Sequence, residues 1–145
     1  MTGPCFIDTN ILVYADDLAD PRKQGLAREL LRSAIQAGSG RLSLQVLSEF
    51  FAAATRKLGL PAASVRRRIE VYASLNPFKP AVEDLLAAID LHRLHQLSIW
   101  DALIVRSAQA TGCRVLYSED LQTGRSFDGI VVVDPFEEGE QSTDE

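Results

Sequence analysis

Short apolar runs alternate along this chain with longer segments of helical periodicity, and this alternation restricts the folds that the chain can adopt. The runs 5–7, 42–44, 114–117 and 130–133 are predicted strands, and a further strand of one to three residues is predicted around Phe78. Strands that alternate with helices form a parallel sheet with right-handed crossovers and helices on both faces. The predicted fold class is therefore α/β.

The segments between the strands carry apolar residues at the three- and four-residue spacing of amphipathic helices. A short helix is predicted after Asp8, and longer helices are predicted at 21–37, 45–58, 61–75, 81–94 and 98–111. For the helix at 81–94, the spacing predicts an apolar face formed by Val82, Leu85, Leu86, Ile89 and Leu94.

The chain of 145 residues fits a single domain, which we place at residues 1–136. Five of the 20 acidic residues lie in 137–145, where we expect an acidic, disordered tail. Without that tail the chain has 15 basic and 20 − 5 = 15 acidic residues, so its charge neither supports nor excludes RNA as a partner.

The sequence shows no apolar run of the roughly 18 residues that a membrane span needs, and we expect no membrane association. Asp8 interrupts the first apolar run, so we expect no export signal. The two cysteines are too few for a disulfide framework. These features together predict a cytoplasmic protein.

Carboxylates follow the predicted strands, at the edge where sheets of this class bind ligands. Asp8 ends the first strand, Glu49 lies early in the helix after the second, and Asp101 lies near the start of a later helix. Glu119 and Asp120 follow the strand at 114–117. Crowded carboxylates raise one another's pKa unless a cation lies among them, and oxygen-only ligands suit Mg²⁺ or Mn²⁺. Such a site suits phosphoryl chemistry.

Each of these acids also has a purely structural explanation. Asp8 can cap the helix that follows it, and Asp101 can form a capping box with Ser98. Glu49 lies nearly opposite the apolar stripe of its helix, so periodicity alone predicts a solvated side chain. Asp120 can be a turn residue. The residue types alone leave both explanations open.

Four short stretches, spread over nearly the whole chain, are specific as an ordered set. They are FIDTNIL from Phe6, SLQVLSEF from Ser43, SIWDALI from Ser98 and LYSEDL from Leu116. With them the sequence resembles the PIN-domain ribonucleases, and within that family the VapC toxins of bacterial toxin–antitoxin pairs. The resemblance implies a three-layer α/β/α fold with a central, mostly parallel sheet, and Mg²⁺- or Mn²⁺-dependent cleavage of RNA that leaves a 5′-phosphate. It also implies a homodimer and neutralisation by a VapB-type antitoxin.

The same resemblance assigns roles to residues. The acidic quartet of the family corresponds here to Asp8, Glu49, Asp101 and Asp120. Asn10 and Ser118 are polar neighbours that can orient a ligand or a water molecule. Glu119 is an alternative or supporting last acid, because it also follows Ser118 directly. The resemblance replaces the solvated interpretation of Glu49 with a role in the site.

In the mechanism that we hypothesise, Asp8, Asp101 and Asp120 bind the metal, while Glu49 holds a metal-bound water or acts through a second ion. Basic residues outside the site are candidate phosphate contacts, although a basic run on a helix is equally a solvated face: Arg22, Lys23, Arg66, Arg67, Arg68 and Arg125. Two alternatives stay open, an RNA-processing PIN nuclease outside any toxin system and a PIN-like module that binds RNA or protein without catalysis.

Overall fold

A computed structural model of the chain describes residues 3–137, in which a five-stranded sheet is covered by helices. The strands are β1 (Cys5–Ile7), β2 (Gly40–Arg41), β3 (Val115–Tyr117), β4 (Ser126–Phe127) and β5 (Ile130–Val133). The helices are α1 (Thr9–Tyr14), α2 (Pro21–Ala37), α3 (Leu44–Arg56), α4 (Ala62–Tyr72), α5 (Val82–His95) and α6 (Ile99–Ala110), with a 3₁₀ turn at Ala73–Leu75. The predicted three-layer α/β/α class is confirmed. Apart from Glu137, the predicted acidic tail lies outside the described residues.

The strand order β2-β1-β3-β5-β4 places the ends of two central strands side by side. Strands β1 and β3 are parallel neighbours, and Ile7 pairs with Tyr117 at their carboxyl ends. The amide of Asp8 then donates to the carbonyl of Tyr117 at 3.0 Å. Residues that follow β1 and β3 therefore meet at one edge of the sheet, although 110 positions separate Asp8 from Ser118.

The second strand begins and ends earlier than its apolar residues predicted. It lies at Gly40–Arg41 rather than 42–44, because Ser43 is the N-cap of α3 and its hydroxyl accepts from the amide of Val46 at 3.3 Å. Ser43 and Phe78 form an isolated parallel bridge, which confirms a minimal strand at Phe78. The apolar residue Leu42 thus belongs to the buried core without belonging to the strand.

Strand β4 was not predicted. It pairs antiparallel with β5 across a tight turn in which Asp128 and Gly129 both have positive φ, 52° and 94°. Asp-Gly is a favoured pair for such a two-residue hairpin turn. A strand of two residues is too short to show alternation, so only the turn residues carried a signal.

The apolar face predicted for α5 is wrong. Val82 and Leu86 are 73% and 58% exposed, whereas Asp84, Ala88 and Leu91 are buried. The reason is an ion pair between this helix and α6, in which Arg106 Nε donates to Asp84 Oδ1 at 2.9 Å. The helix therefore faces the protein core with Ala88 and the paired Asp84, while its leucine-rich face is exposed to solvent.

Replacing Asp84 with asparagine should lower the melting temperature at pH 7 and much less near pH 3. The amide of Ala81 and then Arg106 lower the pKa of the Asp84 carboxyl. A lowered folded-state pKa gives stability that is present above the unfolded value of about 3.9 and is lost as the pH falls through the folded value. Melting curves across this range test the prediction, with Glu83→Gln on the same turn as the control. An equal loss at both pH values would contradict it.

None of the helices in residues 3–137 combines the length and apolar character that a membrane crossing requires.

Candidate active site

Asp8 lies directly after β1 and is only 5% exposed. One carboxylate oxygen, Oδ1, accepts from the amide of Thr9 at 2.7 Å, and the other, Oδ2, accepts from the hydroxyl of Ser118 at 2.8 Å. Burial raises the pKa of Asp8 to about 6. The two hydrogen bonds lower this pKa, whereas the charges of Asp120 and Glu49 raise it further. Asp8 therefore caps α1, as its sequence position allowed, and also brings a buried charge to the sheet edge.

Asn10 and Ser118 lie between Asp8 and Asp120. The amide nitrogen of Asn10 donates to Asp120 Oδ2 at 3.2 Å and to Ser118 Oγ at 3.3 Å. Its amide oxygen accepts from the backbone of Glu119 at 3.0 Å. Asn10 thus fixes the segment after β3 to the start of α1, which places both predicted polar neighbours in contact with predicted site acids.

Glu49 points toward this edge and is not solvated as its periodicity alone predicted. Its Oε1 accepts from the hydroxyl of Thr9 at 2.9 Å, and its Oε2 accepts from the amide of Gln45 at 3.0 Å. A helical wheel shows the stripe that faces the core but cannot show that α1 packs beside a second face of α3. Thr9 and Gln45 were not singled out from the sequence; the signal for Gln45 was its position one turn before Glu49.

Asp101 lies in the first turn of α6 and is partly buried. Its amide donates to the hydroxyl of Ser98 at 3.0 Å, so Ser98 caps the helix as predicted. Burial raises the pKa of the Asp101 carboxyl, and the charges of Asp120 and Glu49 raise it further, while a hydrogen bond with Ser98 lowers it. Because Asp120 and Glu49 act on both Asp8 and Asp101, all four acids share one electrostatic environment.

Glu119 and Asp120 are adjacent in sequence but take different partners. The carboxylate of Glu119 forms an ion pair with Lys23, whose ammonium group also lies 3.4 Å from the hydroxyl of Tyr14 and over its ring. Asp120 instead bonds with Asn10. The structure therefore brings Asp120 to the other acids and neutralises Glu119 with a lysine from α2.

Among the described residues, the four acids have no cationic partner. Within residues 3–137, no lysine, arginine or histidine forms an ion pair with Asp8, Glu49, Asp101 or Asp120. Gln45 Oε1, beside Glu49, is buried and has no hydrogen-bond partner among the described residues. Uncompensated carboxylates are hard oxygen donors of the kind that Mg²⁺ and Mn²⁺ prefer. The chemistry of this donor set fits a divalent cation.

The carboxylate side chains are not arranged around a common point. In the described part of the chain, no three Asp, Glu, His or Cys side chains stand in the arrangement of a metal site. The side chain of Asn10 donates to the carboxylates of both Asp8 and Asp120, while the hydroxyl of Ser118 donates to the Asp8 carboxylate and accepts from the backbone amide of Asp120. Binding of an ion by three carboxylates would therefore require side-chain shifts.

A cleft of about 560 Å³ opens beside the acids. It is lined by Thr9, Asn10, Val13, Tyr14, Asp17, Ala19, Glu49, Ala53, Lys57, Leu58, Glu119 and Asp120. Lys57, which was not singled out from the sequence, brings a positive charge to this cleft. A cavity of about 640 Å³, lined in part by Arg41 and Lys79, contains none of the predicted site residues.

The basic residues predicted to contact phosphate are engaged within the chain. Arg68 pairs with Asp16 at 2.8 Å, and Arg66 lies 3.5 Å from Glu70. The remaining basic side chains make hydrogen bonds to the backbone or to side chains of the protein: Arg22, Lys23, Arg67 and Arg125. Each of these side chains therefore has a partner within the protein, and the exposed contacts of Arg66 and Arg67 contribute little to stability.

Comparison with known proteins identifies the family. The PIN domain model matches residues 5–125, so the chain belongs to the PIN domain family. A toxin–antitoxin complex from Klebsiella pneumoniae has a similar structure, with a TM-score of 0.64 and 20% identity over 90% of this chain and 97% of that one. VapC20 of Mycobacterium tuberculosis, described as a toxin that cleaves the sarcin–ricin loop, has a TM-score of 0.63 and 21% identity over 80% of this chain and 89% of its own. These likenesses show a shared fold. A search of curated proteins finds no match.

Proposed function

We propose that this chain is a metal-dependent endoribonuclease and the toxin of a toxin–antitoxin pair. The observation that carries the proposal is the set of four carboxylates, Asp8, Glu49, Asp101 and Asp120, which share one edge of a PIN-domain sheet without a cationic partner among the described residues. Several kcal/mol of electrostatic repulsion and desolvation can be relieved there by a divalent cation.

Asp8, Asp101 and Asp120 would hold Mg²⁺ or Mn²⁺, which when bound activates water and offsets charge on the phosphate. The other residues position these groups. Asn10 and Ser118 hold the carboxylates of Asp8 and Asp120 through hydrogen bonds of 2.8 to 3.5 Å. The carboxylate of Glu49 is fixed at both oxygens and would orient the attacking water. Glu119 would support this set through Lys23 rather than bind the metal.

We propose RNA as the substrate, bound across the cleft beside the acids. The cleft is lined by carboxylates, by Lys57 and by the apolar side chains of Val13, Ala53 and Leu58. A positive charge can contact a backbone phosphate, and apolar surface can contact a base. Because one structural neighbour is described as cleaving the sarcin–ricin loop, ribosomal RNA belongs among the substrates to test.

We propose two protein partners, an antitoxin and a second copy of the chain. We also propose that the protein acts in the cytoplasm. The groove between α3 and α4 is lined by Phe51, which is 40% exposed, and by Ala62, Ala63 and Ile69. An apolar groove of this kind can accept an amphipathic helix, and one structural neighbour is a toxin–antitoxin complex. The exposed apolar face of α5 supports the homodimer.

Cleavage of a mixed pool of transfer and ribosomal RNA tests the enzymatic proposal. We expect discrete cuts with Mg²⁺ or Mn²⁺, no cuts in EDTA, and a rate at least about 100-fold lower for Asp101→Asn, since loss of several kcal/mol of electrostatic stabilisation has this effect. Asp90→Asn, an exposed acid on α5, is the matched control and should cut at the wild-type rate.

Two further results would decide the finer parts of the proposal. Inhibition by the product of a neighbouring gene would support the toxin role, whereas a fully active enzyme without such a partner would favour RNA processing. A folded protein that binds RNA but leaves every RNA intact in the presence of metal would contradict the enzymatic proposal and favour a binding module.

A further inference from the structure

The carboxylate of Glu49 is held from two sides. Thr9 on α1 donates to one oxygen, and Gln45, one turn earlier on α3, donates to the other. The amide of Gln45 also donates to the backbone carbonyl of Trp100, which directly precedes Asp101, at 3.2 Å. We propose that Gln45 is a positioning residue that fixes the Glu49 carboxylate relative to the turn of α6 that carries Asp101. This inference rests on the proposed function.

The orientation of the Gln45 amide follows from its neighbours. A carboxylate oxygen and a backbone carbonyl can only accept, so the NH₂ group must face both Glu49 and Trp100. The opposite orientation would set the amide oxygen against the Glu49 carboxylate and repel it. One NH₂ group therefore joins a site acid on α3 to the backbone beside a site acid on α6.

This orientation leaves the other end of the amide unsatisfied. Gln45 Oε1 is buried and has no hydrogen-bond partner among residues 3–137. A buried acceptor without a donor destabilises a protein, and such groups call for an explanation other than stability. Proteins leave buried polar groups unsatisfied mainly at functional sites. The orphaned oxygen therefore indicates that this glutamine serves the geometry of the acids and not the stability of the fold.

The bond to Trp100 is also the only hydrogen bond between α3 and α6 in the described part of the chain. Without it, Glu49 and Asp101 would be positioned by separate parts of the fold, α1 and Ser98. Residues that hold metal ligands or their partners in place typically change metal affinity or activity by about 10- to 100-fold when replaced. Loss of the Gln45 amide should fall in this range.

Gln45→Met tests the inference, because methionine keeps the length of the side chain and removes both the donor and the orphaned acceptor. We expect the dissociation constant of Mn²⁺, measured by titration calorimetry on the purified protein, to rise about 10-fold. With RNA, kcat should fall about 10-fold while KM changes less than about twofold. The melting temperature in EDTA should stay equal to that of the wild type or rise. Gln24→Met is the matched control, since Gln24 is also half-buried and donates to a backbone carbonyl, that of Ala15.

The possible results separate this inference from the proposed function. Wild-type Mn²⁺ affinity and kcat in Gln45→Met would overturn the positioning role. A lower melting temperature with a proportional loss of activity would overturn it as well, because that result describes a structural residue. If the wild-type chain itself neither binds Mn²⁺ nor cleaves RNA, the proposed function fails, and the role of Gln45 fails with it.

Discussion

Asp8→Asn should lower the proposed metal-dependent RNA cleavage by about 1000-fold, because the loss of a proposed carboxylate ligand would remove several kcal/mol of stabilisation and each ~1.4 kcal/mol corresponds to a factor of ten. In EDTA, the same substitution should make the protein more stable. Asparagine matches the shape of aspartate and can still accept from the amide of Thr9, although its NH₂ group cannot accept the hydrogen bonds that Asp8 Oδ2 receives from Ser118 and Asn10. The cap of α1 is therefore kept while a buried charge is removed.

The sign of the stability change follows from the raised pKa of Asp8. Burial raises it to about 6, above the unfolded value of about 3.9, so the neutral form stabilises the fold at low pH and this stability is lost as the pH rises through about 6. At pH 7.5 the charged form costs the metal-free wild type about 2 to 3 kcal/mol. Asparagine avoids this cost but loses the hydrogen bonds that Oδ2 accepts from Ser118 and Asn10, each worth about 1 kcal/mol, so we expect a melting temperature higher by about 2 to 5 °C.

Thermal unfolding at pH 7.5, with EDTA and with Mn²⁺, measures both effects. Mn²⁺ should raise the melting temperature of the wild type and leave that of Asp8→Asn nearly unchanged, since a ligand stabilises only the protein that binds it. The exposed acid Asp90 supplies the control, because Asp90→Asn should behave as the wild type in both conditions. A destabilised Asp8→Asn protein in EDTA would show that the carboxylate serves the fold, contrary to the prediction.

The sequence predicted well what depends on neighbours along the chain. Asp8 follows an apolar run and precedes a helix, and Ser98 stands at the start of another helix, so both caps could be recognised locally. The helices and the parallel strands followed from periodicity and alternation. The family resemblance added the role of Glu49, which periodicity alone assigned to solvent, and the family match confirms the resemblance.

What the sequence could not show depends on packing between distant segments. Glu119 and Asp120 are equivalent in the motif, and the ion pair that distinguishes them comes from Lys23, 96 positions away. The outward face of α5 depends likewise on the pair between Asp84 and Arg106. Gln45 has no distinctive motif, because its importance lies in an acceptor on a different helix. Periodicity identifies faces of helices but does not identify their partners.

Leu86→Glu should convert the proposed homodimer into a monomer. On α5 the side chains of Val82, Leu85, Leu86 and Ile89 lie at helical spacing and are 37–73% exposed. Contiguous apolar surface of this kind marks an interaction site on a protein that is otherwise folded. A twofold interface uses the same patch on both copies, so each substitution acts twice. A buried, unpaired glutamate costs about 2 kcal/mol or more per copy, which raises the dissociation constant by about 1000-fold.

Light scattering over a range of protein concentrations measures this change. Leu18→Glu is the matched control, because Leu18 is 83% exposed in the turn between α1 and α2 and carries the same substitution away from the face on α5. The control should remain dimeric, and both variants should keep the wild-type melting behaviour of the folded protomer. A wild-type chain that is monomeric at high concentration, or a Leu86→Glu variant that stays dimeric, would exclude this face as the interface. A monomeric variant that still cleaves RNA would show that one protomer contains all the catalytic residues.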